Sequence, residues 1–142
     1  MRKKVKKLKQ IPSIISNTKV PIRVLYKKVG QIPEVKIISD VYKLKKAIVQ
    51  RNLDIISYEK LFIVCHNKKT NSHMPPNIFL PFNRVVGDFI VVDIDRKKRE
   101  FKSLSQEDII WYSEDLINKA PPNTTMVSRD KKLTKVTDAY ER

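Results

Sequence analysis

The chain has 142 residues, 41% of them hydrophobic and 32% charged, which is enough for one domain with its own core. Its formal net charge of +15 points to polyanionic partners, such as nucleic acid, an anionic membrane surface or an acidic protein. A single cysteine excludes an internal disulfide, and with only Gly30 and Gly87 the glycine-rich loops that bind nucleotide phosphates are excluded as well.

The N-terminal segment, residues 1–19, carries seven basic residues and no acidic one. A charge block of this kind repels itself and commonly serves as an interaction tail. Val5, Leu8 and Ile11 have a helical spacing, but Pro12 would end such a helix. We therefore expect a flexible basic arm.

Three segments are expected in all: the arm over residues 1–19, one domain over 20–120 and a flexible polar tail over 121–142. No apolar run approaches the ~20 residues of a transmembrane helix, and the N-terminus lacks the ~7–15-residue apolar stretch of a secretory signal. Together with the lone cysteine, this predicts a cytoplasmic protein without a membrane span.

The first half of the domain has the pattern of a hairpin followed by a helix and two more strands. Residues 20–28 alternate between apolar side chains on one face and Arg23 and Lys27 on the other, and Gly30 supplies a turn to a second strand over 34–38. The next elements are a helix capped by Ser39 or Asp40 that runs to about Arg51, and strands over 53–57 and 60–66 joined at Tyr58-Glu59.

The second half contains the strongest strand pattern of the chain. Residues 67–77 are polar, include Pro75-Pro76 and are predicted to form a loop. Residues 84–95 are predicted to form a strand with a bulge or turn at Gly87, and their apolar side chains on both faces indicate a central position in the sheet. A basic turn at Arg96–Arg99 leads to a short strand over 100–102.

Ser105 begins the clearest helix signature. Ser105 and Asp108 resemble a capping box, and acidic residues in the first turn with Lys119 at the end suit the helix dipole, so a helix over about 106–119 is predicted. Its expected buried stripe consists of Ile109, Ile110, Tyr112, Leu116 and Ile117. Together the elements predict an α+β domain: a small, mostly antiparallel sheet of five or six strands with two helices.

Three runs of the sequence carry a family resemblance: LFIVCHNKKTNSHMPPNIFL, VVGDFIVVDID and FKSLSQEDIIWY. They are similar to an uncharacterised family borne largely by phages, plasmids and conjugative elements, number three-eight-four-six in the domain-of-unknown-function series. The resemblance implies a mobile-element origin and a small α+β sheet with helices, with no established activity. The residues that match its motifs are Cys65, Asn67, Pro75, Pro76, Asn77, Gly87, Phe89, Ser103, Leu104 and Ser105.

The catalytic and metal-binding patterns are weak. Cys65 and His66 are adjacent on a strand and point to opposite faces, so they cannot form a nucleophile–base pair, and with His73 they are too few for a zinc site. Asp93 and Asp95 lie at i, i+2 on one strand face, where pairing with the basic turn that follows explains them more simply than Mg²⁺ or acid–base chemistry. We therefore expect neither an enzyme nor a cofactor nor a metal.

The basic residues are the strongest functional signal. Lysines contact phosphates without reading bases, which gives sequence-independent and salt-sensitive binding. The aromatic residues Tyr26, Tyr58, Phe62 and Trp111 could stack on bases, but their apolar surroundings place them in the core. The predicted contact residues are Arg2, Lys3, Lys4, Lys6, Lys7, Lys9, Lys43, Lys46, Lys68, Lys69, Arg96, Lys97, Lys98 and Arg99.

Two functions fit this pattern. The first is a non-catalytic binding module for nucleic acid or a nucleoprotein assembly. The alternative is a phage- or plasmid-encoded inhibitor that binds the acidic surface of a host defence or nucleic-acid enzyme. Attachment to a membrane surface through the arm is a weaker option, because no apolar or lipid anchor accompanies the charge. The sequence leaves the oligomeric state open.

Overall fold

A computed structural model of the protein describes residues 20–81 and 83–120; the predicted arm and tail lie outside these residues. The elements are, in chain order, β1 (Ile22–Lys27), β2 (Glu34–Ile38), α1 (Val41–Val49), β3 (Leu53–Tyr58), β4 (Leu61–His66), α2 (Lys68–Asn71), β5 (Pro76–Leu80), β6 (Asn83–Val86), β7 (Phe89–Asp95), β8 (Glu100–Lys102) and α3 (Gln106–Asn118). The predicted α+β class is confirmed. None of the helices in the described ranges is both long and apolar enough to cross a membrane.

The main sheet is antiparallel and runs in the order β2-β1-β7-β4-β3, with β8 also paired to β7. Strand β7 occupies the centre, as its two apolar faces predicted. Val91 of β7 faces Leu25 of β1 on one side and Ile63 of β4 on the other, and all three side chains are fully buried. Strands β5 and β6 form a separate two-stranded hairpin.

Alternate residues of β7 supply two different cores, because successive side chains of a strand point to opposite faces. Phe89 and Val91 belong to a core that includes residues of α3 and of the β5–β6 hairpin. Val92 and Ile94 belong to a second core, to which α1 contributes Val41. The sheet is therefore a middle layer, with α1 on one face and α3 with the hairpin on the other.

Side-chain caps begin both longer helices. Asp40, the second of the two residues predicted for the first cap, accepts a hydrogen bond from the Lys43 backbone N–H at 2.9 Å. Ser105 Oγ accepts one from the Asp108 backbone N–H at 3.1 Å, as the sequence signature predicted. These caps set where α1 and α3 start and thus which of their faces reaches the sheet.

The buried face of α3 is narrower than expected. Ile109, Tyr112 and Leu116 are buried, but Ile110 is 57% exposed and Trp111 is 51% exposed, so the prediction that these two belong to the core was wrong. The physical reason is the i, i+3, i+7 spacing of the buried residues, which directs the intervening side chains away from the sheet. Trp111 instead packs its ring edge-on against Tyr112, at 4.7 Å between ring centroids.

Residues 67–95 differ most from the predicted elements. The loop predicted over 67–77 contains α2 and the first residues of β5, and the strand predicted over 84–95 is two strands in different sheets. Gly87, with φ of 71°, makes the turn between them. Its N–H donates to the Pro75 carbonyl at 2.9 Å, so a segment distant in sequence holds the turn in place.

The turn between β3 and β4 also shifts by one residue from its predicted place at Tyr58-Glu59. Tyr58 is buried and pairs with Leu61, so the turn consists of Glu59 and Lys60, with Glu59 at φ of 54°. The phenol of Tyr58 donates a hydrogen bond to the Asp115 carboxylate of α3. This bond explains why Tyr58 stays in the strand, and it ties the sheet to the helix.

Replacing Gly87 with alanine is expected to lower the free energy of unfolding by about 2 kcal/mol. A Cβ at this position would lie 2.8 Å from Met74 Sδ and 2.9 Å from His66 Cδ2, and the backbone has a positive φ. Urea unfolding measures the change. Gly30→Ala, at a similar φ of 73°, is the matched control, and an equal loss in both variants would show that the contacts at Gly87 cost nothing.

Candidate functional site

A basic cleft of about 550 Å³ lies at the end of the sheet where α1 leads into β3 and β4 leads into α2. The cationic side chains that line it are Arg51, Lys68, Lys69 and Arg84, while Asp54 is the carboxylate among its lining residues. Within residues 20–81 and 83–120, none of the four cations forms a salt bridge. The cleft therefore carries an excess of positive charge, which attracts anions.

Asn67 holds the basic segments of the cleft together. Its side-chain oxygen accepts from the Lys69 N–H at 2.9 Å, which caps α2, and its amide donates to the Arg51 carbonyl at 3.3 Å. Arg51 adopts φ of 64° just after α1, a conformation that few non-glycine residues take. One asparagine thus fixes the end of α1 beside the start of α2.

A second link closes the other side of the cleft. Lys68 Nζ donates to Asn83 Oδ1 at 2.9 Å, which joins α2 to β6 and places Lys68 beside Arg84. Arg51 and Arg84 are not among the residues that the sequence analysis selected. No local signal could have found them, because Arg51, after the end of α1, and Arg84 of β6 line the same cleft only through the fold.

Cys65 forms part of the cleft wall and is also a member of the core. Burial, with a smaller contribution from Asp54, raises the pKa of its thiol to about 12. The thiol is therefore protonated at neutral pH, whereas a nucleophilic cysteine needs the thiolate. In the described ranges, no group of three or more His, Cys, Asp or Glu side chains is placed to hold a metal ion.

The structure separates the predicted contact residues into distinct regions. Lys68 and Lys69 line the cleft, near the start of β7, and Lys43 and Lys46 are exposed on α1. Arg96–Arg99 follow the end of β7, and Phe89–Asp95 are 7 residues, so about 20 Å of strand separates this turn from the cleft. The arm residues Arg2, Lys3, Lys4, Lys6, Lys7 and Lys9 lie outside the described residues.

The acids near the basic turn have structural roles. Asp95 Oδ1 accepts from the N–H groups of Lys97 and Lys98, both at 3.0 Å, and these bonds lower the pKa of its carboxyl. Asp93 forms a salt bridge with Lys102 at 3.6 Å. The two carboxylates thus stabilise the β7–β8 connection, Asp93 through Lys102 and Asp95 through backbone N–H groups of the turn.

An exposed aromatic ring adjoins the cleft. Phe79 of β5 is 41% exposed and borders a shallow depression that it shares with Lys68, Asn83 and Arg84. Its N–H donates to the Lys119 carbonyl at 2.9 Å, which fixes the strand against the end of α3. This ring was not selected from the sequence, because no strand was predicted over residues 78–83 and only β5 sets its outward direction.

A buried lysine, Lys27, lies on the same face of the sheet as α3. The sequence pattern had placed it only on the face of its strand opposite the apolar residues. Lys27 is fully buried, and its Nζ donates to Asn77 Oδ1 at 2.7 Å and to the Lys28 carbonyl at 2.9 Å. Asn77 in turn donates to the carbonyls of Lys27 at 3.0 Å and Gly87 at 2.8 Å. The asparagine and glycine of the sequence motif therefore meet around one lysine.

Asp88 completes this network from the neighbouring turn. Its carboxylate accepts from the Val29 N–H at 2.9 Å and from the Tyr26 hydroxyl at 3.2 Å. Burial lowers the pKa of Lys27 to about 8, and the negative charge of Asp88 opposes that shift. The network joins β1, β5 and the turn before β7.

The comparisons with known proteins give one match. The model of a family described as Domain of unknown function (DUF3846) matches residues 22–117, well over half of the chain. No curated protein and no solved structure matches. The matched range includes the cleft, the Lys27 network and all but the last residue of α3.

Proposed function

The chain belongs to the DUF3846 family, whose function is unknown, and from this premise we propose that it is a non-catalytic module that binds the phosphate backbone of nucleic acid through its basic cleft. The observation that carries the proposal is the convergence of Arg51, Lys68, Lys69 and Arg84 around one concave surface. Binding there would release the cations that are condensed on the phosphate backbone, so affinity would fall as the salt concentration rises.

The side chains of the cleft favour backbone contacts over base recognition. Two of its four cations are lysines, which act as point charges, and Asn67, Thr70 and Asn83 add neutral hydrogen-bonding groups suited to phosphate oxygens. The exposed Phe79 ring next to Lys68 supplies a stacking surface for an unpaired base. A single strand, whose bases are free to stack, therefore fits this surface better than a duplex.

The predicted effect of removing the cleft charge is a large loss of affinity. We expect Lys68→Glu/Arg84→Glu to weaken binding of a labelled single-stranded oligonucleotide by at least about tenfold at physiological salt, and to reduce the salt slope by about 1.4, because two phosphate contacts with a single strand are lost. Fluorescence anisotropy of the full chain across a salt series measures both quantities.

The matched control is Lys97→Glu/Lys98→Glu, which changes the net charge equally at the opposite end of β7. It should weaken binding by less than about threefold, since it alters only the long-range electrostatic potential of the protein. Equal losses in the two double variants would mean that charge alone, and not the cleft, determines affinity. Absence of binding by the unaltered protein would instead favour an acidic protein partner, the alternative function.

We also propose the setting in which this module works. The family resemblance supports an origin on a phage, plasmid or other mobile element. The protonated, buried thiol of Cys65 is compatible with a reducing compartment, and the cytoplasm is where host and element nucleic acids are accessible. Detection of the chain in the cytoplasmic fraction of cells that carry such an element would agree with this setting, and its secretion would contradict it.

A further inference from the structure

A second groove, of about 600 Å³, lies along the outer side of α3 and has the opposite charge to the cleft. Four of its lining residues are acidic and one is a lysine. The acidic residues are Glu59, Glu107, Asp108 and Glu114, and the lysine is Lys60. In a chain with twice as many basic as acidic residues, such a concentration of carboxylates is unusual and calls for a cationic occupant.

The centre of this acidic groove is apolar. Ile110 is 57% exposed and Trp111 is 51% exposed, and they are adjacent on the helix between Glu107 and Glu114. Large neighbouring apolar side chains surrounded by polar ones commonly mark a contact surface. The occupant that fits is therefore a segment with both positive charges and apolar side chains.

Residues 1–19 of the chain have this composition. They carry seven basic residues and no acidic one, and Val5, Leu8 and Ile11 alternate with the lysines. The segment thus complements the acidic groove in charge and in apolar character. A binding site for it within the same chain needs no partner protein.

The connection of β1 to α3 brings this segment close to the acidic groove. The Arg23 N–H donates to Ser103 Oγ at 2.9 Å, and the Leu104 N–H donates to the Arg23 carbonyl at 2.9 Å, one residue before the cap of α3. The chain therefore enters β1 beside the end of α3 that carries Glu107. Nineteen residues span up to about 60 Å when extended, far more than the ~20 Å of a 13-residue helix.

We propose that the basic segment 1–19 binds in the acidic groove of α3, with its lysines near Glu107 and Glu114 and its apolar residues against Ile110 and Trp111. Tethering gives the segment an effective concentration on the order of millimolar at the groove, so weak contacts suffice. Exposed ion pairs are screened by salt, so the contact opens as ionic strength rises. Nucleic acid would compete with the groove for the same lysines.

Trp111 is the single tryptophan of the chain and therefore reports directly on the groove. In the full chain without nucleic acid, we expect Lys4→Glu/Lys7→Glu to raise acrylamide quenching of Trp111 by about twofold, because two ion pairs become repulsive. Lys97→Glu/Lys98→Glu, the control with the same charge change, should leave quenching unaltered. Adding Glu107→Lys/Glu114→Lys to the Lys4→Glu/Lys7→Glu variant should restore protection.

Carbodiimide cross-linking of the full chain identifies the occupant. The proposal predicts zero-length links from lysines in residues 1–9 to Glu107 or Glu114 within one chain. Links found only between differently isotope-labelled chains would assign the groove to a second copy and overturn the proposal. Unchanged quenching in Lys4→Glu/Lys7→Glu, or an absence of these links, would also overturn it, without affecting the role of the cleft.

Discussion

Asn77→Ala is expected to lower the free energy of unfolding by about 4 kcal/mol, the largest effect of any single substitution considered for this protein. The side chain is 1% exposed and makes three hydrogen bonds, one from Lys27 Nζ and two to the carbonyls of Lys27 and Gly87. Alanine would leave two buried carbonyls without these donors and a buried ammonium group without its amide acceptor, and each loss is costly in a water-free interior.

Urea unfolding of the full chain measures this effect. Asn83→Ala is the control, because Asn83 is also an amide that accepts from a lysine, but its contact with Lys68 Nζ is exposed. We expect that control to cost about 1 kcal/mol or less. A loss for Asn77→Ala no larger than that of the control would show that the buried network does not support the fold.

The second large effect is a pH dependence that Lys27 produces. Burial lowers the pKa of Lys27 to about 8 in the folded protein, whereas the ordinary value in the unfolded chain is 10.5. Between these pH values the unfolded chain binds a proton that the folded one has released, so stability rises with pH across this window and is constant below it. The total gain is about 3 kcal/mol.

The measurement is the difference in free energy of unfolding between the unaltered protein and Lys27→Met, from pH 7 to pH 10.5. A difference is required because two other buried groups, the Cys65 thiol and the Tyr58 phenol, have raised pKa values in the folded protein. As pH rises above the pKa values that these groups have in the unfolded chain, the folded protein becomes less stable. We expect the difference to grow with pH above about 8 in favour of the unaltered protein. A constant difference across this pH range would contradict the shift.

The elements that could be predicted from the sequence are those that local chemistry determines. The cap at Ser105 and the apolar faces of residues 89–95 are local signals, and both were confirmed. The break at Gly87 could not be predicted with the same ease, because the bonds that hold it come from Pro75, just before β5, and from Asn77 within β5. Periodicity continues across this glycine even though the two strands belong to different sheets.

The candidate site also combines residues that the sequence indicates with residues that only the fold brings in. The lysine pair at Lys68 and Lys69 could be selected from charge alone, but Arg51 and Arg84 join it only through the fold. For Lys27 the sequence indicated exposure and the structure shows burial. A lysine in an alternating strand is normally solvated, and here the hydrogen bond to its partner Asn77 makes burial possible. Charge in a sequence thus does not show which cationic residues the fold brings to one surface.

The most direct test of the account is a nuclear magnetic resonance titration of the full chain with a short oligothymidylate at physiological salt. If the cleft binds nucleic acid, the largest amide shift changes occur at Asn67, Lys69 and Arg84, around the cleft, and Arg96–Arg99 change little. Changes confined to residues 1–19 and to Arg96–Arg99, with the cleft unaffected, would contradict the claim that the cleft binds nucleic acid.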